Sequence, residues 1–293
     1  MALPPPPPPA QPAPSAPPLP RCYRHPDREA GRSCTRCGKS ACSECLVQAA
    51  VGSHCLDCAK ASRPPVATRA KYWNARQHTL VTYVLIAINL AVFAYTTIDD
   101  PSSLGGRGPT EAQVRLGIVE FFMANDGEWY RLVTSGFLHF GVIHLAFNML
   151  LLYQLGQLLE RALGRSRFAL LYGASLLGGS FGVVLLTSNP VTVTGGASGA
   201  VFGLMAAAAV GLQRQGVNIF STGLGTTLLL NLFITFAVPG ISIGGHLGGA
   251  VAGAVCGFVM LAPRWKPVPS WARWAAPVAV AVVSVVGSII TVG

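Results

Sequence analysis

Charged residues are scarce in this sequence, and acidic residues are absent from its C-terminal part. Only 11% of the 293 residues are charged, and no Asp or Glu follows Glu160. Soluble domains carry about a quarter charged residues, so this scarcity, with 51% hydrophobic residues, excludes an ordinary soluble protein and indicates a membrane protein. A transporter or channel would need ionisable residues along a path across the membrane. The sequence after Glu160 offers only cations near loops and His246, which argues against that class.

Long apolar segments account for most of the remaining chain. About 20 apolar residues span a bilayer. Seven segments approach that length, namely 80–98, 137–159, 168–188, 197–213, 219–237, 244–262 and 275–292. The fourth and sixth are rich in Gly and Ala, which favours packing inside a helical bundle over contact with lipid. The sequence therefore predicts an all-α polytopic membrane protein.

The distribution of positive charge predicts how the chain is oriented. The net charge is +10, and Lys and Arg cluster before the first apolar segment and then in alternate loops. Positive residues mark the cytoplasmic side of membrane proteins. We expect a cytoplasmic N-terminus, an extracytoplasmic C-terminus and a multi-pass protein of the plasma membrane in contact with the lipid bilayer. This placement of charge also argues against a nucleic-acid partner.

The N-terminal segment has almost no side chains that could form a core. Residues 1–20 are mostly Pro and Ala, carry no charge and lack the pattern of a signal peptide, which predicts a disordered Pro-rich tail. Residues 59–78 combine prolines with several cations, as expected of a linker that ends at the membrane surface.

Cysteine is nearly confined to residues 21–58, which contain seven of the eight cysteines. They form four pairs of candidate ligands at two-residue spacing: Cys22 and His25, Cys34 and Cys37, Cys42 and Cys45, and Cys55 and Cys58. Eight ligands are enough for two tetrahedral Zn²⁺ sites. Disulfides rarely persist in the cytosol, where the charge pattern puts this segment. His54 could replace Cys55 as a ligand, although the repeated spacing favours Cys55.

The order of these pairs resembles a B-box-type zinc finger. That resemblance implies that the first and third pairs bind one ion and that the second and fourth pairs bind the other. Spacing alone leaves pairing between sequence neighbours open. The segment contains no catalytic residue set of its own, so we expect two structural ions and a structural role, or a docking role toward a cytosolic protein partner.

Two polar residues open apolar segments lined with glycine. Ser198 follows Gly195-Gly196-Ala197 at the start of the fourth segment, and His246 follows Gly244-Gly245 at the start of the sixth. Small residues recur every four positions in both segments, which would let the two helix backbones approach closely. Close packing could bring the serine hydroxyl and the imidazole into contact, as a nucleophile and its base require.

A third polar cluster opens the second apolar segment. His144 and Asn148 lie four residues apart and share one face of a helix, whereas His139 is expected to be structural. Such groups can simply join helices, but they could also donate hydrogen bonds to an oxyanion. With no acidic residue after Glu160, a Ser-His dyad is the simplest mechanism: Ser198 attacks, His246 accepts the proton, and the Ser198 N–H, His144 and Asn148 hold the oxyanion.

The combination of these motifs resembles the rhomboid family of intramembrane serine proteases. The carrying motifs are Gly196-Ala-Ser198-Gly199, the spacing of His139, His144 and Asn148, and His246-x-x-Gly249. The resemblance implies a six-helix core over 79–262 and the same catalytic roles for Ser198, His246, His144 and Asn148. It also implies cleavage of transmembrane segments whose helices are locally unstable near small residues. No cofactor is needed for this catalysis.

The sequence departs from the rhomboid pattern in several places. The Trp-Arg pair of the first outer loop reads Tyr130-Arg131, and Phe202 stands where a tyrosine often stacks on the base histidine. The basic loop and seventh helix at 263–293, like the zinc module, lie outside the family's core. An inactive rhomboid-like protein that binds client transmembrane helices is the alternative function, although such proteins usually lack the serine or the histidine.

Overall fold

The computed structural model describes residues 18–49, 51–62, 79–106, 108–263 and 265–293. Most of the predicted Pro-rich tail (1–20), most of the predicted linker (59–78) and Arg264 of the basic loop lie outside the described residues. Contacts within the chain divide it into two compact units, Met1–Asn74 and Ala75–Gly293.

The N-terminal unit contains two small antiparallel hairpins and a short helix. Strand β1 (Arg32–Ser33) pairs with β2 (Ser40–Ala41), and β3 (Leu46–Gln48) pairs with β4 (Ser53–Cys55), which leads into α1 (Leu56–Ala61). Among the described residues of this unit, the buried cluster consists of five: Cys22, Ala30, Ala41, Cys42 and Cys45. Three of the five are candidate metal ligands, so apolar packing by itself gives this unit little stability.

The second unit is helical. Its long apolar helices are α2 (Leu80–Asp99), α6 (Val142–Leu163), α7 (Arg165–Leu186), α8 (Ser198–Arg214), α9 (Leu224–Ala237), α10 (Ile243–Met260) and α11 (Ala272–Val292). Between α2 and α6 lie three short helices, α3 (Glu111–Leu116), α4 (Glu120–Asp126) and α5 (Arg131–Thr134). The predicted fold class is confirmed, because each predicted apolar segment coincides with one helix.

Five of these seven helices are long and apolar enough to cross a membrane. Helix α8 is as long as the predicted segment 197–213, whereas α9 begins five residues later than the predicted segment 219–237. Helix α8 has 17 residues and α9 has 14, which correspond to about 25 Å and about 21 Å. A bilayer core is about 30 Å thick. Most residues of α8 are buried among other helices, so this helix does not need to span the lipid by itself.

Glycine contacts bring α8 and α10 together. A side chain at Gly249 or Gly253 of α10 would overlap the carbonyl oxygens of Gly199 and Gly203 on α8. On its other side α10 meets α7 through similar glycine contacts, such as Gly248 against Gly182. The three helices therefore form the closely packed centre that the small residues predicted.

Hydrogen bonds to Arg131 hold the segment between α2 and α6 together. The Arg131 guanidinium is 3% exposed, donates to the carbonyls of Val114 (2.5 Å) and Gly117 (2.7 Å), and forms an ion pair with Glu128. Arg131, the first residue of α5, thereby links this helix to the C-terminal end of α3.

Glu160 has a structural role far from the other polar clusters of the helical unit. Its carboxylate accepts hydrogen bonds from the backbone N–H groups of Val81 and Thr82 and from the Thr82 hydroxyl, at 2.7–2.9 Å. It thereby satisfies donors at the N-terminus of α2. Sixteen residues of helix, or about 24 Å, separate Glu160 from His144 on α6. The last acidic residue of the sequence therefore cannot complete a triad at the other end of the helix.

Candidate active site

The turn before α8 determines where Ser198 lies. Gly196 has a φ of +144°, a conformation that residues with a side chain rarely adopt, and its N–H donates to the Ser135 carbonyl at 2.8 Å. The helix begins at Ser198 itself. The Ser198 backbone N–H is therefore one of the unpaired donors of a first helical turn, close to the positive end of the helix dipole.

Gly196 separates Ser198 from His144. A Cβ atom at Gly196 would lie 2.9 Å from Cε1 and 3.0 Å from Nε2 of His144, and 3.4 Å from Oγ of Ser198. Any side chain at this position would fill the space between the imidazole and the hydroxyl. The structure thus brings together three residues that the sequence analysis assigned to the site, from α6 and from the start of α8.

The hydrogen bonding of His144 indicates which ring nitrogen carries its proton. The backbone N–H of Phe140 donates to Nδ1 of His144 at 3.4 Å, so Nδ1 is the acceptor and the neutral ring is protonated at Nε2. Nε2 is the atom next to Gly196. His144 can therefore donate a hydrogen bond into the space beside Ser198. His139 is fully buried, with its ring 5.1 Å from that of His144, as expected of a structural residue.

Asn148 is buried one turn further along α6. One N–H of its amide donates to the His144 carbonyl at 2.9 Å, which leaves its second N–H free to serve another acceptor. Within the described residues, no hydrogen bond joins Asn148 to Ser198 or Gly196.

His246 is held from two directions near the start of α10. Its ring stacks on Phe202 of α8 with centroids 4.1 Å apart and planes 18° apart, and its Nδ1 lies 2.7 Å from the hydroxyl oxygen of Thr235 on α9. The predicted stacking position of Phe202 therefore matches the observed contact. The Gly245 carbonyl lies 3.0 Å from where a Gly199 side chain would begin, so α8 and α10 are in backbone contact beside the histidine.

The described structure has no hydrogen bond between Ser198 and His246. The serine is half-buried at the first turn of α8, and the histidine is 8% exposed. The two side chains reach the same end of the helix pair, since Phe202 lies one turn after Ser198 and stacks on His246. Hydrogen bonds between catalytic residues are often long in enzymes without substrate and shorten in the complex.

Residues 126–263 match the sequence profile of the Rhomboid domain. This part of the chain is a Rhomboid domain. The chain is 35% identical over 169 residues to the rhomboid protease GluP of Bacillus subtilis (strain 168), covering 57% of this chain and 32% of that protein. It is 38% identical over 160 residues to RHOMBOID-like protein 5 of Arabidopsis thaliana, covering 53% of this chain and 52% of that protein. The chain thus spans about a third to a half of the length of these relatives.

The rhomboid domain contains a site contact that no sequence pattern indicates, between Thr235 and His246. Thr235 contacts His246 but lies eleven residues earlier, on a different helix. Nothing in the sequence distinguishes it from the other threonines of α9. Of the two departures noted in the sequence, Tyr130 is exposed, with its hydroxyl 3.4 Å from the Arg115 carbonyl, and Phe202 keeps the stacking ring.

The N-terminal unit contains two clusters that could hold metal ions. One consists of Cys22, His25, Cys42 and Cys45, and the other of Cys34, Cys37, Cys55 and Cys58. In each cluster the candidate ligand atoms all lie within 4.8 Å of one another. The first pair along the chain therefore joins the third and the second joins the fourth, which is the order that the B-box resemblance implied. His54, the alternative to Cys55, belongs to neither cluster.

The distances within the clusters test whether these residues fit zinc. With bonds of about 2.3 Å to sulfur and about 2.05 Å to nitrogen, a tetrahedral ion separates two sulfurs by about 3.8 Å and sulfur from nitrogen by about 3.5 Å. The sulfurs of Cys37 and Cys55 are 3.7 Å apart. Nδ1 of His25 lies 3.4, 3.5 and 3.9 Å from the sulfurs of Cys45, Cys42 and Cys22. Both clusters therefore fit a tetrahedral metal of this size.

The thiols of the second cluster differ in their ease of ionisation. Burial opposes ionisation of Cys34, but backbone hydrogen bonds, led by the one from Cys55, outweigh it and lower its pKa to about 6. Hydrogen bonds with the Cys37 and Cys55 sulfurs raise the pKa of Cys58 to about 12. Four sulfurs this close cannot all lose their protons without a compensating cation, which a bound metal would supply.

Proposed function

We propose that this chain is an intramembrane serine endopeptidase that cleaves transmembrane segments of other membrane proteins. The observation that carries the proposal is the position of Gly196 between His144 and Ser198, with His246 stacked one helical turn away on Phe202. Helices α6, α8 and α10 thus supply polar groups at one end of the bundle. Polar groups that only joined helices would not need to lie together there.

The proposed reaction uses Ser198 and His246 as a dyad. The Ser198 oxygen attacks the carbonyl carbon of a peptide bond while Nε2 of His246 takes the hydroxyl proton. Collapse of the tetrahedral intermediate breaks the C–N bond, and the imidazolium gives its proton to the departing amine. Water then attacks the acyl-serine ester, with His246 again accepting a proton, which releases the acid and restores Ser198.

Three donors are assigned to the oxyanion of the tetrahedral intermediate. They are the Ser198 backbone N–H, the Nε2–H of His144 and the free N–H of the Asn148 amide. The tautomer of His144 inferred from its Phe140 contact supports this role, since it presents a donor beside Ser198. Together with the positive end of α8, these groups would favour the negative charge that develops there.

The substrate and the orientation also belong to the proposal. The resemblance to rhomboids favours single transmembrane helices that are locally unstable near small residues. The alternation of basic loops favours a site near the extracytoplasmic face of the plasma membrane, with the N-terminus in the cytoplasm and the C-terminus outside.

The decisive experiment incubates purified protein with single-span model substrates. We expect cleavage by the unaltered chain, none by Ser198→Ala or His246→Ala, and normal cleavage by the control Ser284→Ala, which removes a buried hydroxyl from α11. A fluorophosphonate probe should label the unaltered chain and not Ser198→Ala. Cleavage that persists in Ser198→Ala would refute the assigned nucleophile.

The absence of a hydrogen bond between Ser198 and His246 among the described residues favours a second candidate. An inactive rhomboid-like protein would bind client transmembrane helices without cutting them. Under that alternative, the substrates above would co-purify with the unaltered chain uncut, and the fluorophosphonate probe would not react. Labelling of Ser198 would exclude it.

We also propose that the N-terminal unit binds two structural Zn²⁺ ions. The ligand spacing and the match to tetrahedral distances support zinc, which would hold together a unit with a very small apolar core. The unit could then present a folded surface to a cytosolic protein partner. Elemental analysis of protein purified under reducing conditions should find two zinc ions per chain. Cys37→Ser should reduce the content toward one, whereas Cys256→Ser, outside both clusters, should leave it unchanged.

A further inference from the structure

Thr235 is a fully buried polar residue on α9, a helix that is otherwise mostly apolar. Among the 14 residues of α9, only Gly225 and Thr235 are buried, and Thr235 is 1% exposed. The remaining residues of this apolar helix are partly or largely exposed. Leu224 and Leu228 of α9 also pack partly against the core, but the side chain that α9 buries completely carries a hydroxyl.

The Thr235 hydroxyl has two neighbours but only one proton. Its oxygen lies 2.7 Å from the Asn231 carbonyl oxygen and 2.7 Å from Nδ1 of His246. A carbonyl oxygen can only accept, so the hydroxyl proton is directed to Asn231, as is common for threonine in helices. The contact with His246 must then be made by a proton on Nδ1, which donates to the Thr235 oxygen.

We infer that Thr235 is a positioning residue that holds His246 in the tautomer protonated at Nδ1. This inference rests on the proposed protease function and deepens it. With Nδ1 protonated, the neutral ring has its free lone pair at Nε2, the atom that must accept the Ser198 proton. Phe202 fixes the plane of the ring, and Thr235 fixes its rotation within that plane.

The contact between Thr235 and His246 also explains how His246 can act as a base without an acidic partner. In a Ser-His-Asp triad, the third residue orients the histidine and stabilises its charged form. No acidic residue follows Glu160 in this sequence, and Glu160 itself binds the N-terminus of α2. A neutral hydroxyl takes the orienting role here. Its hydrogen bond strengthens when His246 becomes positively charged, because hydrogen bonds from charged donors are stronger than neutral ones.

A simpler role for Thr235 would be to attach α9 to α10, and kinetics can separate the two. Thr235→Val keeps the shape of the side chain and removes the hydroxyl, whereas Thr235→Ser keeps the hydroxyl. For positioning, we expect Val to lower kcat about 10- to 100-fold with little change in KM, and Ser to stay within about threefold of the unaltered chain. A purely structural role predicts that kcat stays unchanged in both variants and that the effect of Val is confined to KM and melting temperature.

The tautomer itself can be measured without any cleavage. We would label histidine with ¹⁵N in the Ser198→Ala background and assign His246 by the signals lost in a further His246→Gln variant. We expect a hydrogen-bearing Nδ1 and a lone-pair Nε2 in neutral His246, and a shift toward the other tautomer or a mixture in Thr235→Val but not in Thr235→Ser. A His246 protonated at Nε2 with Thr235 intact would overturn the inference. Failure of the proposed function would appear separately, as absence of cleavage by the unaltered chain.

Discussion

Replacing Gly249 with alanine should push apart the two helices that carry the proposed dyad. An added Cβ at Gly249 would overlap the Gly199 carbonyl oxygen and lie 2.6 Å from its carbonyl carbon and 3.0 Å from its Cα. Carbon atoms in ordinary contact are about 3.5–4.0 Å apart. Helices α8 and α10 would therefore have to separate by about 1 Å, next to Ser198 on one helix and His246 on the other.

Gly249→Ala is expected to affect both the stability and the activity of the protein. Overpacking of this kind destabilises proteins by about 1–3 kcal/mol, while replacing a helical glycine by alanine returns up to about 1 kcal/mol. A net loss of about 1–2 kcal/mol corresponds to a fall of about 2–8 °C in melting temperature for a domain of this size. A misplacement of about 1 Å between reacting groups can lower activity by about 100-fold. We therefore expect activity to suffer more than stability.

Gly173 on α7 provides the matched control, since a Cβ there would meet no atom within 4 Å. Gly173→Ala should leave cleavage unchanged and raise the melting temperature slightly, because alanine is the better helix former. Both variants would be compared by melting in detergent and by kcat/KM on a single-span substrate. If Gly249→Ala melted as high as Gly173→Ala and cleaved as fast, the close contact between α8 and α10 would not be essential.

Substitutions at two further positions test other contacts in the rhomboid domain. Phe202→Leu should lower kcat about threefold to tenfold, because it removes the ring stacked on His246, whereas Phe202→Tyr should keep nearly the original kcat. Equal kcat values for the unaltered chain and both variants would contradict a role of Phe202 in holding the imidazole. Glu160→Ala should lower the melting temperature by several degrees, because the buried donors of Thr82 lose their acceptor, and Glu160→Gln should recover part of the loss. A Glu160→Ala protein that melts normally would show that these donors find water.

The sequence by itself determined the membrane class, the helical fold and the two modules. Apolar runs of about 20 residues have few alternatives to a helix in lipid, because every backbone group must be satisfied within the segment. The two-residue spacing of the cysteine pairs is equally local, so candidate metal ligands are readable without a structure. Glycine rows predicted the close packing of α8 and α10 for the same reason, since they mark one face of each helix.

Contacts between distant segments were decided only by the tertiary structure. Sequence left open which cysteine pairs share a cluster, because both pairings satisfy the same spacing, and only the folded hairpins bring the first pair to the third. Helix α9 begins later than predicted, because Ile219–Thr222 form a separate 3-10 turn before it. The role of Thr235 could not be predicted from the sequence. It depends on a contact between its hydroxyl and His246 on another helix, and no periodic pattern indicates such a contact.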